Sequence, residues 1–265
     1  MCYIEAIATH LNLTHDIKEV VPDATLRRRM SRIVKMATAT AFECTGGVEG
    51  IAALDAIVTA TGWGCLTDSE RFLEQIHRTG GQMLNPTPFI QSTFNTVGAQ
   101  IALLAKNRCY NMTYVHRSRS FESALTDAML QLKEGDARRV LVGAFDENTP
   151  TQHHIMERMG FWRKAEDGEG VVFSLLTAEA SANSLARLSR VEFLSSPLSE
   201  KQCRERYASH SGVQVWHSSG KTVYPCRSAM RFAEAVEEVR KGVPEIVVYN
   251  EYFGKEPTVI VLQCL

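Results

Sequence analysis

The residues that could do chemistry begin with Ser118, which lies between two arginines at a predicted turn. The segment 111–116 reads as a strand, and 120–134 reads as a helix that ends at Gly135. α/β enzymes place nucleophiles in a strand–turn–helix of this kind, because the turn exposes the side chain and the helix N-terminus stabilises nearby negative charge. Serine is a weak nucleophile without an adjacent base. The pattern therefore predicts an enzyme-like scaffold that lacks a sulfur nucleophile at its turn.

Three other side chains are candidates for residual chemistry. His116 lies two residues before Ser118, and in an extended segment the two side chains would share one face. His217 and Cys226 precede the last predicted helix, and a turn before a helix can lower the pKa of a thiol. The simpler interpretation of each residue is a buried or surface group without a chemical role.

The two arginines of the turn, Arg117 and Arg119, are costly to bury without a partner. We expect them to meet carboxylates, with Asp127, Asp146 and Glu147 as candidates, or a partner chain. In either case they would plug a pocket or form part of an interface.

The totals describe an ordinary globular chain of 265 residues, with 45% apolar and 22% charged residues. The net charge of −1 argues against nucleic acid or an anionic membrane as a partner. The seven cysteines are scattered and show no metal-ligand spacing, so we expect no metal and reduced thiols in a cytoplasmic protein. No apolar run reaches the roughly 18 residues of a membrane span.

Hydrophobic periodicity predicts strands that alternate with helices. Strands are expected at 2–8, 56–60, 111–116, 140–144, 171–176, 190–194, 245–249 and 258–262. Helices are expected at 26–41, 48–54, 69–77, 95–106, 120–134 and 229–240. The alternation predicts an α/β fold with helices on both faces of the sheet.

Some stretches carry less information. Pro86 and Pro88 predict an extended loop, and 195–219 shows only a weak pattern. The polar stretch 181–189 divides the single domain 1–265 into a first half, 1–180, and a shorter second half, 190–265.

Four segments, in order, resemble the β-ketoacyl synthases of the thiolase fold. Asn85-Pro-Thr-Pro-Phe resembles the start of the segment before the family's nucleophile, and 111–147 resembles its nucleophile turn, helix and following strand. Gly168-Glu-Gly-Val-Val resembles a strand of the family, and Asn250-Glu-Tyr-Phe-Gly resembles its C-terminal loop. The resemblance implies a thiolase-like (ketosynthase-like) fold that is shortened in its second half.

The departures from the family concern its catalytic groups. The family's cysteine falls on Ser118, and its first histidine has no clear counterpart. Its second histidine aligns with 222–229, which contains none. Lys255 and Glu256 replace two glycines of the C-terminal loop, which supplies a backbone N–H to the family's oxyanion hole. The resemblance therefore implies a subunit without catalytic residues of its own.

What the resemblance implies is a chain-length-factor type of subunit. It would pair with a catalytic β-ketoacyl-ACP synthase in type II polyketide, aryl-polyene or fatty-acid-like biosynthesis, through the sheet edge and the helices near 93–120. The basic residues of 27–35 would dock an acidic acyl carrier protein or the partner, or form a solvated helix face. The interface or pocket residues would be Phe94, Asn95, Met112, Tyr114, Arg117 and Arg119.

Two alternatives stay open. The first is a divergent β-ketoacyl-ACP synthase or acyltransferase that uses Ser118 or Cys226 with His116 or His217. The second is a homodimeric structural or carrier-binding protein. No interpretation needs a cofactor or a metal.

Overall fold

A computed structural model describes residues 1–208, 210, 212–217 and 222–265. Its strands are β1 (Tyr3–Thr9), β2 (Ala56–Ala60), β3 (Tyr110–Tyr114), β4 (Arg139–Asp146), β5 (Gly170–Thr177), β6 (Ala186–Phe193), β7 (Val213–Trp216), β8 (Glu245–Tyr252) and β9 (Lys255–Gln263). Its helices are α1 (Ile17–Val20), α2 (Ala24–Arg29), α3 (Arg32–Thr45), α4 (Val48–Ala52), α5 (Leu66–Thr79), α6 (Pro86–Ser92), α7 (Thr96–Leu104), α8 (Ser120–Glu134), α9 (Pro150–Arg158), α10 (Glu200–Tyr207) and α11 (Arg227–Arg240). The 3₁₀ turns are Arg117–Arg119 and Phe161–Arg163.

The strands run in the order β3-β2-β4-β5-β1-β6-β9-β8-β7. In the first five, β2 is parallel to β3 and β4, whereas the β4–β5 and β5–β1 pairs are antiparallel. In the last four, β7 is parallel to β8 and the remaining pairs are antiparallel. The second half thus repeats the first half's strand order, but its described residues contain no counterpart of β3.

The two groups of strands meet at a narrow junction. Between β1 and β6, only Tyr3 with Arg187 and Ile4 with Ala186 are paired. A junction of two residue pairs allows the two halves of the sheet to diverge, and helices fill the space between them.

Helices α8 and α11 form the central layer of the molecule. Their buried residues share one core with residues from both halves of the sheet, and the rings of Phe121 and Phe232 meet edge-on with centroids 5.4 Å apart. Helices α3 and α7 cover the outer face of the first half, and α10 covers that of the second. The order is therefore helix, sheet, helix, sheet, helix, as expected for the thiolase-like fold.

Helix α8 has the bounds that the sequence predicts. Phe121, Ala124, Leu125 and Ala128 are fully buried because the 3.6-residue period places them on one face. Gly135 ends the helix with φ of 84°, a left-handed conformation that glycine adopts at low cost.

Two expectations about local structure were wrong. The helix expected at 26–41 is broken, because Met30 and Ser31 are extended and the new helix α3 begins at Arg32. The loop expected around Pro86 is helix α6, since Asn85 accepts a hydrogen bond from the Thr87 N–H and a proline in the first turn loses no helical hydrogen bond.

The weakly patterned stretch 195–219 contains α10 and β7. Ser199 and Gln202 form a capping box at the start of α10. Within the described residues, no helix is both long and apolar enough to cross a membrane.

The central layer generates a stability prediction. We expect Phe121→Ala to lower the free energy of unfolding by about 3–5 kcal/mol, because it leaves a cavity between α8 and α11. The matched control is Leu130→Ala on the exposed face of the same helix, which we expect to change stability by less than about 0.5 kcal/mol. Urea unfolding of both variants checks this, and an equal loss in both would contradict the assigned core.

Candidate functional site

Ser118 lies in the 3₁₀ turn between β3 and α8, and its side chain is engaged by a carboxylate. Its Oγ donates a hydrogen bond to Glu256 Oε2 at 2.6 Å, and only 8% of the residue is exposed. Arg117 approaches the same carboxylate at 3.8 Å, with a largely exposed side chain. The Ser118 hydroxyl therefore donates to an acceptor from a distant part of the chain.

The backbone on both sides of this contact is strained. Arg117 has φ of 53° and Glu256 has φ of 52°, both in the left-handed region that favours glycine. Phe253, in the turn between β8 and β9, has φ of 50°. Left-handed non-glycine residues cost about 1–3 kcal/mol each and often mark functional sites.

A pocket of about 340 Å³ opens beside Ser118. Burial lowers the pKa of Arg231 in its wall to about 10. This side chain donates hydrogen bonds to the carbonyls of Trp216, His217 and Tyr249, so it joins α11 to β7 and β8. Other lining residues are Lys164, Arg227, Ser228, Asn250, Glu256 and Thr258.

His116 does not pair with Ser118. The expected extended segment is wrong, because the left-handed φ of Arg117 turns the chain between the two residues. His116 Nδ1 instead lies 3.0 Å from Ser123 Oγ, and its backbone N–H donates to Ser120 Oγ.

The two remaining candidates, His217 and Cys226, are not in contact with Ser118 among the described hydrogen bonds. His217 stacks on Tyr249 with ring centroids 4.4 Å apart, and its Nε2 lies 2.8 Å from the Leu198 carbonyl oxygen. Burial raises the pKa of the Cys226 thiol well above its usual range, and the nearby Asp146 raises it further. The expectation that the turn lowers this thiol pKa is therefore wrong.

The carboxylates expected for the two arginines belong to other contacts. Asp146 binds backbone N–H groups, and Glu147 accepts hydrogen bonds from Thr67. Arg119 donates to the Leu194 carbonyl and lies over the ring of Phe193.

Asp127 accepts a hydrogen bond from Tyr110 rather than from either arginine. The carboxylate that Arg117 approaches, Glu256, was not among the expected partners.

The four expected interface or pocket residues from the first half lie near the β3 edge of the sheet. Phe94 and Met112 are 46% and 42% exposed, and Asn95 is exposed at the start of α7. Tyr114 is half-buried and packs against the central core. Among the described residues, no group of three or more His, Cys, Asp and Glu side chains could hold a metal ion.

Sequence reasoning missed the buried Glu122. It lies four residues after Ser118 and accepts a hydrogen bond from the Thr258 hydroxyl at 2.9 Å. Burial raises the pKa of its carboxyl to about 7. The available signal was its position three residues before Leu125 and seven before Met129, which places it on the apolar face of α8.

Glu122 generates a pH prediction. Its pKa rises from 4.5 to about 7 on folding, so the unfolded state loses the proton first as the pH rises. Its contribution to stability is full below about pH 4.5 and is lost by about pH 7, a change on the order of 3 kcal/mol. As the pH rises through this range, the free energy of unfolding of Glu122→Gln should therefore increase relative to that of the wild type.

The check is urea unfolding of both proteins at about pH 5 and about pH 8. The exposed Glu49→Gln serves as the control and should follow the wild type at both pH values. A Glu122→Gln difference that does not change with pH would contradict the raised pKa.

Solved structures with this fold include ketosynthases and chain length factors. One is a type II PKS acyl-carrier protein in complex with its ketosynthase bound to the hexaketide, with a TM-score of 0.80 at 10% identity, covering 100% of this chain and 99% of that chain. Another is the ishigamide ketosynthase/chain length factor, with a TM-score of 0.76 at 16% identity and the same coverage. At these identities the likeness shows the fold alone.

A third similar structure is a ketosynthase (ApeO) in complex with its chain length factor (ApeC) from Xenorhabdus doucetiae. It has a TM-score of 0.64 at 16% identity, covering 99% of this chain and 98% of that chain. A comparison with curated proteins finds no match.

The family model described as beta-ketoacyl synthase, N-terminal domain, matches residues 11–229. The match covers most of the chain, including the turn at Ser118 and the central helix α8. The chain therefore belongs to the beta-ketoacyl synthase N-terminal domain family.

Proposed function

We propose that this chain is a non-catalytic ketosynthase-like subunit of the chain-length-factor type. It forms a heterodimer with a catalytic β-ketoacyl-ACP synthase in type II polyketide, aryl-polyene or fatty-acid-like biosynthesis. The single observation that carries the proposal is the hydrogen bond from Ser118 to the Glu256 carboxylate. The complex works in the cytosol, where the free state of all seven cysteines is expected.

The charge beside Ser118 opposes acyl transfer. An acyl transfer at Oγ would develop an oxyanion next to a carboxylate oxygen that lies 2.6 Å from Oγ. Catalysis needs hydrogen-bond donors around the carbonyl oxygen of the acyl group, because they stabilise the negative charge that develops there. Glu256 offers acceptor oxygens instead, so the environment of Ser118 disfavours the transition state.

The strained backbone of Glu256 supports a functional role for its side chain. The residue keeps a backbone conformation suited to glycine, the residue type that the resemblance gives for this loop. A glutamate held there at a cost in free energy is best explained by what its carboxylate does. In the proposed subunit it closes the degenerate site against acyl groups.

The partner surface is the β3 edge. Within the described residues, β3 pairs with β2 only, so its outer edge presents unpaired backbone groups. Exposed apolar side chains surround this edge, which is typical of a protein interface. On β3 and on the helix α7 that contacts it, they are Leu103, Tyr110 and Met112.

Basic residues near α3 support docking of an acyl carrier protein. Arg28 and Arg29 are exposed, and Arg29 lies close enough to the Asp23 carboxylate to interact with it electrostatically. By contrast, Arg27 donates to the carbonyls of Val21 and Pro22, and Arg32 binds Glu169. The exposed cations suit an acidic carrier surface.

The enzymatic alternative gains no support from the geometry. Among the described hydrogen bonds, neither Ser118 nor Cys226 is paired with a histidine. This alternative names His116 or His217 as the base, and the two histidines contact Ser123 and the Leu198 carbonyl instead.

The proposal predicts a heterodimer that depends on the β3 edge. Co-expression with a full ketosynthase encoded in the same gene neighbourhood should give a 1:1 complex in sedimentation. Met112→Lys should weaken it by about tenfold or more, because a charge would be buried in the apolar contact. Ile155→Lys, an equally exposed apolar residue on α9, is the matched control and should leave the affinity unchanged.

Two outcomes would count against the heterodimer. One is a stable homodimer of this chain that does not bind the ketosynthase. The other is an equal loss of affinity for the ketosynthase in both lysine variants.

A further inference from the structure

A second pocket lies between α8 and β6, apart from the Ser118 site. Its volume is about 520 Å³, and it shares no lining residue with the Ser118 pocket. Its wall combines apolar side chains with cations. The apolar residues include Cys2, Met129, Leu130, Leu188 and Val191, and the cations are Lys133, Arg187 and Arg190.

The charged side chains that line this pocket are all positive. Its described lining contains no aspartate or glutamate. Arg187 donates to the side chain of Gln263, whereas Lys133 and Arg190 have no hydrogen bond or ion pair among the described side-chain contacts. Two unneutralised cations at the rim of an apolar wall favour a ligand with negative charge.

The local backbone opens this pocket. The register of β6 against β9 shifts between Leu188 and Arg190, so Ser189 is an extra residue in the strand. Such bulges turn side chains away from their regular direction. On the facing helix, Leu130 is 51% exposed. The bulge and the helix thus leave apolar surface uncovered beside the cations.

A contrasting pocket shows why the unpaired charge matters. Between α11 and β1, the lining includes four glutamates. Each has a basic partner: Glu43 pairs with His15, Glu234 with Arg227, Glu237 with Arg240 and Glu238 with Lys241. The glutamates of that pocket are therefore paired with cations of the same chain. By contrast, Lys133 and Arg190 of the α8–β6 pocket have no acidic partner among the described side-chain contacts.

We infer that the α8–β6 pocket binds an amphiphilic anion, a single-chain carboxylate such as a fatty acid. The alkyl chain packs on Met129, Leu130 and Leu188, and the carboxylate lies at the rim between Lys133 and Arg190. Burial of alkyl surface supplies the main free energy, at roughly 25 cal/mol per Å², and the cations select the charge of the head group. This inference does not rest on the proposed function, because the pocket shares no lining residue with the Ser118 pocket and none with β3.

The test uses the purified full chain and sodium decanoate, followed by isothermal titration calorimetry. We expect 1:1 binding, and we expect Lys133→Gln and Arg190→Gln each to weaken it by about fivefold, as for a partly exposed ion pair. Leu130→Glu should abolish binding, since it places a like charge on the apolar wall. Lys35→Gln, which removes a cation far from the pocket in sequence and fold, is the matched control and should bind as the wild type does.

Three probes distinguish the other occupants. Acetate tests for simple anion binding, decyltrimethylammonium tests for apolar contact alone, and phosphatidylglycerol vesicles test for a membrane surface. Equal binding of acetate or of the ammonium compound would overturn the inference, as would binding to vesicles without binding to free decanoate. The inference would also be overturned if decanoate does not bind, or if neither cation variant changes the affinity for decanoate. Each result leaves the heterodimer test unaffected.

Discussion

One buried carboxylate, Asp146, fixes the geometry on which the rest of the site depends. It lies at the end of β4 and accepts hydrogen bonds from the Thr61 hydroxyl and from the backbone N–H groups of Gly62, Trp63 and Cys226, all at 2.8–2.9 Å. Burial raises the pKa of this carboxyl, while the backbone donors oppose the rise. The contacts join the end of β2 to the start of α11, so one side chain ties the two halves together directly behind the turn of Ser118. The packing there is tight, because a Cβ added to Gly62 would lie 2.1 Å from Pro225.

Around this carboxylate, the chain keeps the fold of its family. The strand–turn–helix, the central helices and a glycine-like backbone at Glu256 are all present. Beside the turn, the Glu256 carboxylate lies 2.6 Å from Ser118 Oγ. Within the described residues, the outer edge of β3 has no strand partner. We propose that its role is to form a heterodimer with a catalytic ketosynthase rather than to carry out acyl transfer itself.

The sequence predicts the layers better than the contacts of the site. Helix α8 was predictable because its apolar residues recur with the helical period and Gly135 ends it. The break before α3 was not, since the apolar periodicity continues through Met30, although the backbone of Met30 and Ser31 is extended. The bond between Ser118 and Glu256 joins residues 138 positions apart, and its formation depends on sheet register and on two left-handed residues. Neither feature can be read from composition or spacing.

The most direct test of the central claim is intact-mass spectrometry of the chain after incubation with acyl- and malonyl-loaded carrier protein, with and without its ketosynthase. The account predicts that this chain stays unmodified and that the cysteine of the ketosynthase gains the acyl group. An acyl mass on this chain alone, lost in Ser118→Ala or Cys226→Ala, would contradict the account and show an enzyme with a replaced nucleophile.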